Sequence, residues 1–164
     1  MSSGGNADIY HEMIVDYSRN PSNFGKIENP DVTFHDANPL CGDSIDIDMN
    51  ISDNAVSDIK FHGKGCAICM ACSSVLTEIT KGKSLEEVRA VGKDDILGEL
   101  GLEHLQAVRI KCALLPLKVF KSALYTYLGS HMQGSGGSAD TNAADAGMSS
   151  EEIDRLKEEA AGLY

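Results

Sequence analysis

The strongest structural signal in this chain is a run of strictly alternating residues between positions 44 and 51. Its apolar positions are Ile45, Ile47, Met49 and Ile51, and polar side chains fill the positions between them. A period of two predicts a β-strand with one apolar face and one polar, solvated face. Asp53-Asn54 then suits a tight turn, and Ile59 and Phe61 continue the alternation. We therefore predict an antiparallel hairpin.

Further elements are predicted on both sides of this hairpin. Val32 and Phe34 alternate with polar residues, which adds a strand and gives a small antiparallel sheet of about three strands. From Cys66 onward the apolar period becomes helical. We predict helices over residues 8–19, 66–80, 84–91, within 94–105, and over 112–128, the last with Pro116 in its first turn, where a missing N–H is tolerated.

Composition divides the chain into a folded part and a tail. We predict one domain over residues 1–128, a flexible Gly/Ser/Ala-rich linker over 129–147, and an acidic tail with a short helix over 148–164. The net charge is −11, and an acidic chain repels phosphate backbones, so no nucleic-acid partner is expected. With no secretory signal and no apolar run of about 20 residues, we expect a cytoplasmic protein without a membrane partner.

Cysteines supply the chemistry. The chain has five, and an odd number without an export signal argues against a disulfide framework. Cys41 precedes a predicted strand, whereas Cys66 and Cys112 open predicted helices. A thiol at a helix N-terminus has a lowered pKa and favours the thiolate, which is the form that binds iron and zinc. If the sheet brings these loops together, the three cysteines form one pocket.

Asp43 lies two residues from Cys41, so one loop could supply two ligands. A carboxylate is a harder ligand than a thiolate and suits soft iron–sulfur chemistry less well. A site with three cysteines and one aspartate should therefore hold a cluster less firmly than four cysteines would. That weakness suits a protein that must give its cluster away.

Two more cysteines complete a C-x₂-C-x₂-C run with Cys66. A bacterial ferredoxin would continue with a fourth cysteine and proline, but Ser73 and Ser74 follow here. On a helix, Cys69 and Cys72 turn away from its N-terminus. We predict that they are small, semi-buried thiols packed against the sheet, with an auxiliary sulfur or redox role as the alternative.

Three motifs in order resemble the IscU/SufU family, which is equivalent to the N-terminal domain of NifU. They are Asn38–Asp43, Gly63–Ile68 and Lys111–Leu114, and the resemblance covers about residues 8–128. It implies an α+β fold, with helices packed on one face of a small antiparallel sheet. It also implies that the protein accepts sulfur from a cysteine desulfurase, assembles a labile [2Fe–2S] cluster and passes it to acceptor apoproteins. The implied ligands are Cys41, Asp43, Cys66 and Cys112.

The chain departs from both branches of that family. Lys111 stands where the IscU branch has a histidine, which resembles SufU and makes Lys111 an accessory candidate able to pair with a persulfide, a cluster sulfide or Asp43. The SufU insertion between the second and third cysteines is missing. Residues 105–109 also lack the Leu-Pro-Pro-Val-Lys motif with which IscU proteins bind a chaperone.

Several functions stay open at this point. The first is a cluster scaffold, which is not an enzyme; an exposed cluster shared by a homodimer would also allow [4Fe–4S]. The alternative is a zinc-dependent sulfur acceptor of SufU type, with zinc bound in the cluster-free form. A purely structural zinc domain is a third hypothesis. A thiol hydrolase is a poorer fourth, because no Cys–His pairing is evident.

Overall fold

The computed structural model describes residues 3–131, with side chains from Asp8 onward. Its elements are α1 Ser3–Arg19, β1 Val32–Asn38, β2 Asp43–Ser52, β3 Ala55–Lys64, α2 Ala67–Thr80, α3 Leu85–Arg89, α4 Lys93–Glu99 and α5 Ala107–His131. Three strands followed by a set of helices make an α+β fold, as predicted. Within residues 3–131, no helix combines the length and the apolar character that a bilayer crossing requires.

The sheet is antiparallel, in the order β1-β2-β3. Asp53 and Asn54 connect β2 to β3 with φ angles of 51° and 58°. Two consecutive positive φ angles give the tight hairpin turn that matches the twist of the strands, and Asp and Asn tolerate this conformation. The predicted hairpin is confirmed. At the other end of β2, Asp43 lies opposite Asn38 of β1.

One face of the sheet carries the helices. The alternating apolar residues of β2 are fully buried at Ile45, Ile47 and Met49. Helix α5 packs against β1 and β2, α2 packs against β3 and α5, and α1 lies on α2. Burying this alternating face is the main source of stability for such a sheet, at about 25 cal/mol per Å² of apolar surface. The elements β1, β2, α2 and α5 therefore pack around one hydrophobic core.

The opposite face of the sheet is drier than its polar sequence predicts. Asp48 is only 4% exposed. The segment between α1 and β1 lies over it, and the Ile27 N–H donates to Asp48 Oδ2 at 3.1 Å. The Thr33 hydroxyl donates to the other carboxylate oxygen at 2.8 Å. The expectation of a fully solvated face was wrong at this position, because a loop without periodicity gives no sign of where it packs.

Helix α5 differs most from its prediction. It begins at Ala107, five residues earlier, because the N–H groups of Arg109 and Ile110 already bond to the Gln106 carbonyl. Cys112 therefore lies in the second turn instead of at the N-terminus. Pro116 lies in the third turn, inside the helix, where its missing N–H removes the bond to the Cys112 carbonyl. The placement of both residues in the first turn was wrong.

The same helix also ends later than predicted. The Ser130 hydroxyl donates to the Thr126 carbonyl at 2.6 Å, and the His131 ring stacks on Tyr127 at 3.9 Å. A histidine in the last turn also suits the negative end of the helix dipole. Residues 129–131, which were predicted to be linker, are thus helical. The rest of the linker and the acidic tail lie outside the described residues, and their assignment stays a prediction.

Candidate metal centre

Cys41 lies in the turn that joins β1 to β2. The Asn38 side chain shapes this turn, since its Oδ1 accepts the Leu40 N–H at 3.0 Å and its backbone carbonyl accepts the Gly42 N–H at 2.9 Å. Gly42 has a φ of 71°, a conformation that a residue without Cβ adopts at no steric cost. The result is an exposed thiol at the end of the sheet. Local hydrogen bonding therefore fixes the loop that presents Cys41.

Asp43 begins β2 and is 2% exposed. Its side chain points to the same face of the sheet as Ile45, toward the helices. One carboxylate oxygen, Oδ1, accepts the Cys66 N–H at 3.0 Å. The other, Oδ2, is buried and has no hydrogen-bond partner among the described residues. Because an unpaired buried carboxylate oxygen is costly, Oδ2 fits a site that is completed by a cation or another ligand.

Cys66 is the N-cap of α2. Its Sγ accepts the Cys69 N–H at 3.5 Å, in the role that a serine or aspartate oxygen usually fills. The preceding glycine permits a close approach, because a Cβ on Gly65 would lie 2.9 Å from Cys69 Sγ. The prediction that Cys66 stands at a helix N-terminus is confirmed. Cys69 and Cys72 are both fully buried in the core, deeper than the semi-buried position predicted for them.

Cys112 lies in the second turn of α5 and is 2% exposed. Its Sγ is 2.9 Å from Cys41 Sγ, and both thiols are free. Burial raises the pKa of Cys112 well above its usual range, and the neighbouring Cys41 thiol and Asp43 carboxylate raise it further. The predicted low pKa of this thiol was wrong, because the helix begins five residues upstream and its positive end is not at Cys112.

Three of the four predicted ligands converge. The Sγ atoms of Cys41 and Cys112 and a carboxylate oxygen of Asp43 all lie within 4.8 Å of one another. Cys66 is outside this group, although its N–H contacts Asp43. Two thiols and a carboxylate form a mixed soft and hard donor set that suits zinc and iron. The arrangement could hold a metal at the rim of the sheet, with Cys66 on the neighbouring helix end.

Two residues beside the centre, Lys111 and Asn38, have side-chain nitrogens without a partner among the described residues. Lys111 is half-buried and forms no ion pair within residues 8–131. Asn38 is buried, and its Nδ2 has no hydrogen-bond partner in the described part of the chain. Sequence reasoning quoted Asn38 only as the start of a motif and missed its burial. The available signal was its position next to proline, where an asparagine side chain commonly bonds the backbone two residues on.

The fold and the donor set define a class: small α+β domains that present a thiol–carboxylate centre where the ends of a sheet and two helices meet. Residues 9–133 match the family described as NifU-like N terminal domain. The iron-sulfur cluster assembly scaffold protein IscU 1 of Archaeoglobus fulgidus is 36% identical over 119 residues, which is 73% of this chain and 76% of that protein. The zinc-dependent sulfurtransferase SufU of Bacillus subtilis is 35% identical over 141 residues, which is 76% and 95%.

Solved structures agree with this. FiSufU of Fervidobacterium islandicum AW-1 superposes with a TM-score of 0.62 at 30% identity, covering 73% of this chain and 99% of that one. The N-terminal part of a NifU-like protein from Brucella abortus gives the same TM-score at 21% identity, with 73% and 94% covered, which shows the fold alone. The chain belongs to the NifU-like N-terminal domain family, which includes the IscU and SufU proteins.

Proposed function

We propose that this protein is an iron–sulfur cluster assembly scaffold that accepts sulfur from a cysteine desulfurase, builds a labile [2Fe–2S] cluster and transfers it to acceptor apoproteins. One observation carries the proposal: the donor atoms of Cys41, Asp43 and Cys112 converge within 4.8 Å, and one oxygen of the buried carboxylate has no hydrogen-bond partner among the described residues. Relatives named IscU are scaffolds, which supports the same conclusion. The cluster is cargo in this scheme, and the protein is a scaffold rather than an enzyme.

Each residue has a distinct part in holding that cargo. Cys41, the exposed thiol, is accessible to an incoming sulfur donor, whereas Cys112 is buried behind it. Cys66 supplies the third thiolate when its side chain turns from the Cys69 N–H toward the group. Asp43 supplies the fourth ligand through its free oxygen while its other oxygen keeps the Cys66 N–H. Lys111 offers a positive charge for a persulfide or a cluster sulfide.

The lability of the cluster is assigned to Asp43. Replacing it, Asp43→Ala, should make the bound cluster longer lived, because a hard carboxylate no longer competes in a soft ligand set. The readout is the loss of visible absorption on transfer to an apo-ferredoxin. Asp46→Ala is the control, since Asp46 lies on the same strand but faces the other side of the sheet. A cluster lost faster from Asp43→Ala than from both wild type and the control contradicts this assignment.

The proposal as a whole is tested by anaerobic reconstitution with iron and sulfide. Wild type should give a coloured protein with equal iron and sulfide, and Cys66→Ala should lose that colour. Cys72→Ala, whose thiol is buried one turn beyond Cys69, is the matched control and should keep it. A colourless wild type that carries one tightly bound zinc would overturn the scaffold.

A second function has a specific observation in its favour. The residue before Cys112 is Lys111, as in the SufU branch, and the SufU relative is named a zinc-dependent sulfurtransferase. In that function Cys41, Asp43 and Cys112 would hold zinc, which would keep the thiols as thiolates, and one of these cysteines would accept sulfur from the desulfurase persulfide. Equilibrium competition between zinc and ferrous iron separates the two. Retention of zinc during sulfur transfer, with no cluster formed, favours this second function.

The remaining expectations follow from the scaffold. The protein would work in the cytoplasm, with a cysteine desulfurase and acceptor apoproteins as partners. A cluster at the molecular rim could be shared by a homodimer, which would open a route to [4Fe–4S]. Light scattering of the cluster-free and loaded forms tests this, since a shared cluster doubles the mass on loading. An unchanged monomer mass would exclude sharing.

A further inference from the structure

Two cysteines lie close together at the start of α2, and the proposed cluster uses only one of them, Cys66, as a ligand. Cys66 is the N-cap and Cys69 is the third residue of the helix, and the Cys69 N–H donates to Cys66 Sγ at 3.5 Å. Residues three apart on a helix have Cβ atoms about 5–6 Å apart. A disulfide needs Cβ atoms about 3.5–4.5 Å apart, so it closes here when the extended cap residue shifts by about 1–2 Å toward Cys69. Cys66 is half-buried and accessible, whereas Cys69 is fully buried.

Cys69 lies directly behind the candidate metal centre. A Cβ built on Gly65 would lie 2.9 Å from Cys69 Sγ and 3.5 Å from Asp43 Cγ, so the thiol and the carboxylate are neighbours across one glycine. The glycine is what permits the close approach of the chain to this thiol. A buried thiol beside an accessible cap thiol is the arrangement of a two-cysteine redox site, in which one sulfur receives the substrate and the other completes the disulfide.

We propose that Cys66 and Cys69 reduce sulfane sulfur: Cys69 resolves a persulfide on Cys66, releasing sulfide and leaving a Cys66–Cys69 disulfide. This rests on the proposed function, because it concerns the sulfur that a desulfurase delivers. That sulfur is at the oxidation level of the element, but a cluster contains sulfide. Two electrons per sulfur must therefore come from somewhere, and this dithiol is a source inside the scaffold.

The step balances in atoms and electrons. The Cys69 thiol attacks the Sγ of Cys66, the bond between that Sγ and the terminal persulfide sulfur breaks, and the terminal sulfur leaves as HS⁻ with the proton from Cys69. Two thiol sulfurs are oxidised to the disulfide and one sulfane sulfur is reduced to sulfide. An external dithiol reductant then restores both thiols by exchange. Without that reductant, each chain releases one sulfide through this pair.

The surroundings of Cys69 suit a resolving thiol. Cys69 is fully buried, which keeps bulk reagents away from its sulfur, whereas Cys66 is accessible. The disulfide also leaves the converging group of Cys41, Asp43 and Cys112 intact. The competing pair is Cys41 with Cys112, whose sulfurs are 2.9 Å apart, so the test must distinguish the two disulfides.

The test uses metal-free, full-length protein under argon, without reductant. After a short pulse of inorganic polysulfide and desalting, peptide mass spectrometry maps every disulfide and persulfide. Wild type and the control Cys72→Ser should give the Cys66–Cys69 disulfide and about one sulfide per chain. Cys69→Ser should keep a persulfide on Cys66 and release at least about tenfold less sulfide. Equal release from Cys69→Ser, or a Cys41–Cys112 disulfide in wild type, overturns the proposal.

Reconstitution separates this proposal from the function on which it rests. With iron and ready-made sulfide no electrons are needed, so Cys69→Ser should assemble a cluster as wild type does. With iron and polysulfide but no reductant, neither wild type nor Cys69→Ser should assemble a cluster, because one sulfide per chain is fewer than a [2Fe–2S] cluster needs and the wild-type disulfide occupies Cys66. Cys69→Ala repeats both arms in case serine is not tolerated in the core. If wild type forms no cluster from sulfide, the scaffold function fails while the disulfide map still decides the redox step.

Discussion

At the candidate metal centre, the two carboxylate oxygens of Asp43 lie in different environments. One of its oxygens bonds the first turn of α2, and the other is buried without a partner in the described part of the chain. The sequence could predict that Asp43 lies near Cys41, because they are two residues apart. It could not predict the bond to the Cys66 N–H, because that contact joins positions 23 residues apart and exists only in the folded chain.

Gly65 offers a direct test of the packing behind the centre. A Cβ there would lie 2.9 Å from Cys69 Sγ, so Gly65→Ala must displace that thiol or the start of α2. We expect a loss of about 1–3 kcal/mol in the free energy of unfolding by urea, as for other overpacked sites, together with weaker metal binding.

Gly98 provides the matched control for that substitution. It lies in α4 with a helical backbone, and a Cβ there would meet nothing within 4 Å. Gly98→Ala should therefore stabilise the protein by about 0.5–1 kcal/mol through helix propensity. The two changes should have opposite signs. A Gly65→Ala variant as stable as wild type would mean that the thiol moves aside freely.

The raised pKa of Cys112 predicts its reactivity. In the folded, metal-free protein it should alkylate more slowly at pH 8 than the same cysteine in urea, because unfolding returns the pKa to about 8.5 and increases the thiolate fraction. In the native state its rate should keep rising well above pH 8.5. Exposed Cys41 serves as the internal reference in the same digest. Fast native alkylation of Cys112 at pH 8 would argue that it is a thiolate.

Among the elements, α5 shows most clearly which features of a helix the sequence predicts and which it does not. Its amphipathic stretch and its cysteine motif predicted a helix through residues 112–128. The five residues before Cys112 have no clear apolar period, and Pro116 suggested a first turn, so the true start at Ala107 was missed. Packing against β1 and β2 stabilises the helix despite the missing apolar period at its start and despite Pro116.

An ion pair links α5 to the sheet edge and gives a pH-dependent prediction. Lys118 Nζ is 2.7 Å from Asp36 Oδ2. Burial alone would raise the pKa of Asp36, but the Lys118 ammonium and the Ala37 N–H outweigh it and lower the pKa. The carboxylate thus stabilises the fold above the ordinary pKa of about 3.9. That contribution is lost as the pH falls through the lowered value.

The corresponding substitution is Asp36→Asn. It should cost up to about 1 kcal/mol at pH 7, as partly exposed pairs do, and the difference from wild type should shrink below about pH 4. Urea unfolding at several pH values measures this. Asp53→Asn removes one charge from a turn residue without an ion pair in the described structure, and should change little. A cost for Asp36→Asn that stays constant down to pH 3 would show that the charge is irrelevant.

At the scale of the whole molecule, the described residues form one core with the centre at its rim. The sequence predicted the sheet and the helices because strong periodicities and turn residues mark them. It could not predict the loop over Asp48, because segments without periodicity are placed by contacts distant in sequence. The acidic charge of the tail could also be taken directly from the sequence, since residues 129–164 contain 7 Asp and Glu but only 2 Lys and Arg.

A chain that ends at His131 tests whether that acidic tail matters. Since the core, the centre and all of α5 lie within residues 3–131, the truncated protein should reconstitute like the full chain and unfold within about 0.5 kcal/mol of it. Its transfer rate to a basic acceptor should become less dependent on salt, because a block of like charge is removed. Failed reconstitution would make the tail part of the mechanism.

The order in which the donors occur along the chain also has a consequence during synthesis. Cys41 and Asp43 leave the ribosome first, Cys66 next, and Cys112 only with α5, which packs against strands made some 60 to 80 residues earlier. A nascent chain therefore lacks the converging group until its last helix has emerged and docked. Iron captured too early would meet incomplete, solvated thiols. Because the final helix closes the centre, the metal binding proposed above would be confined to domains whose last helix has docked.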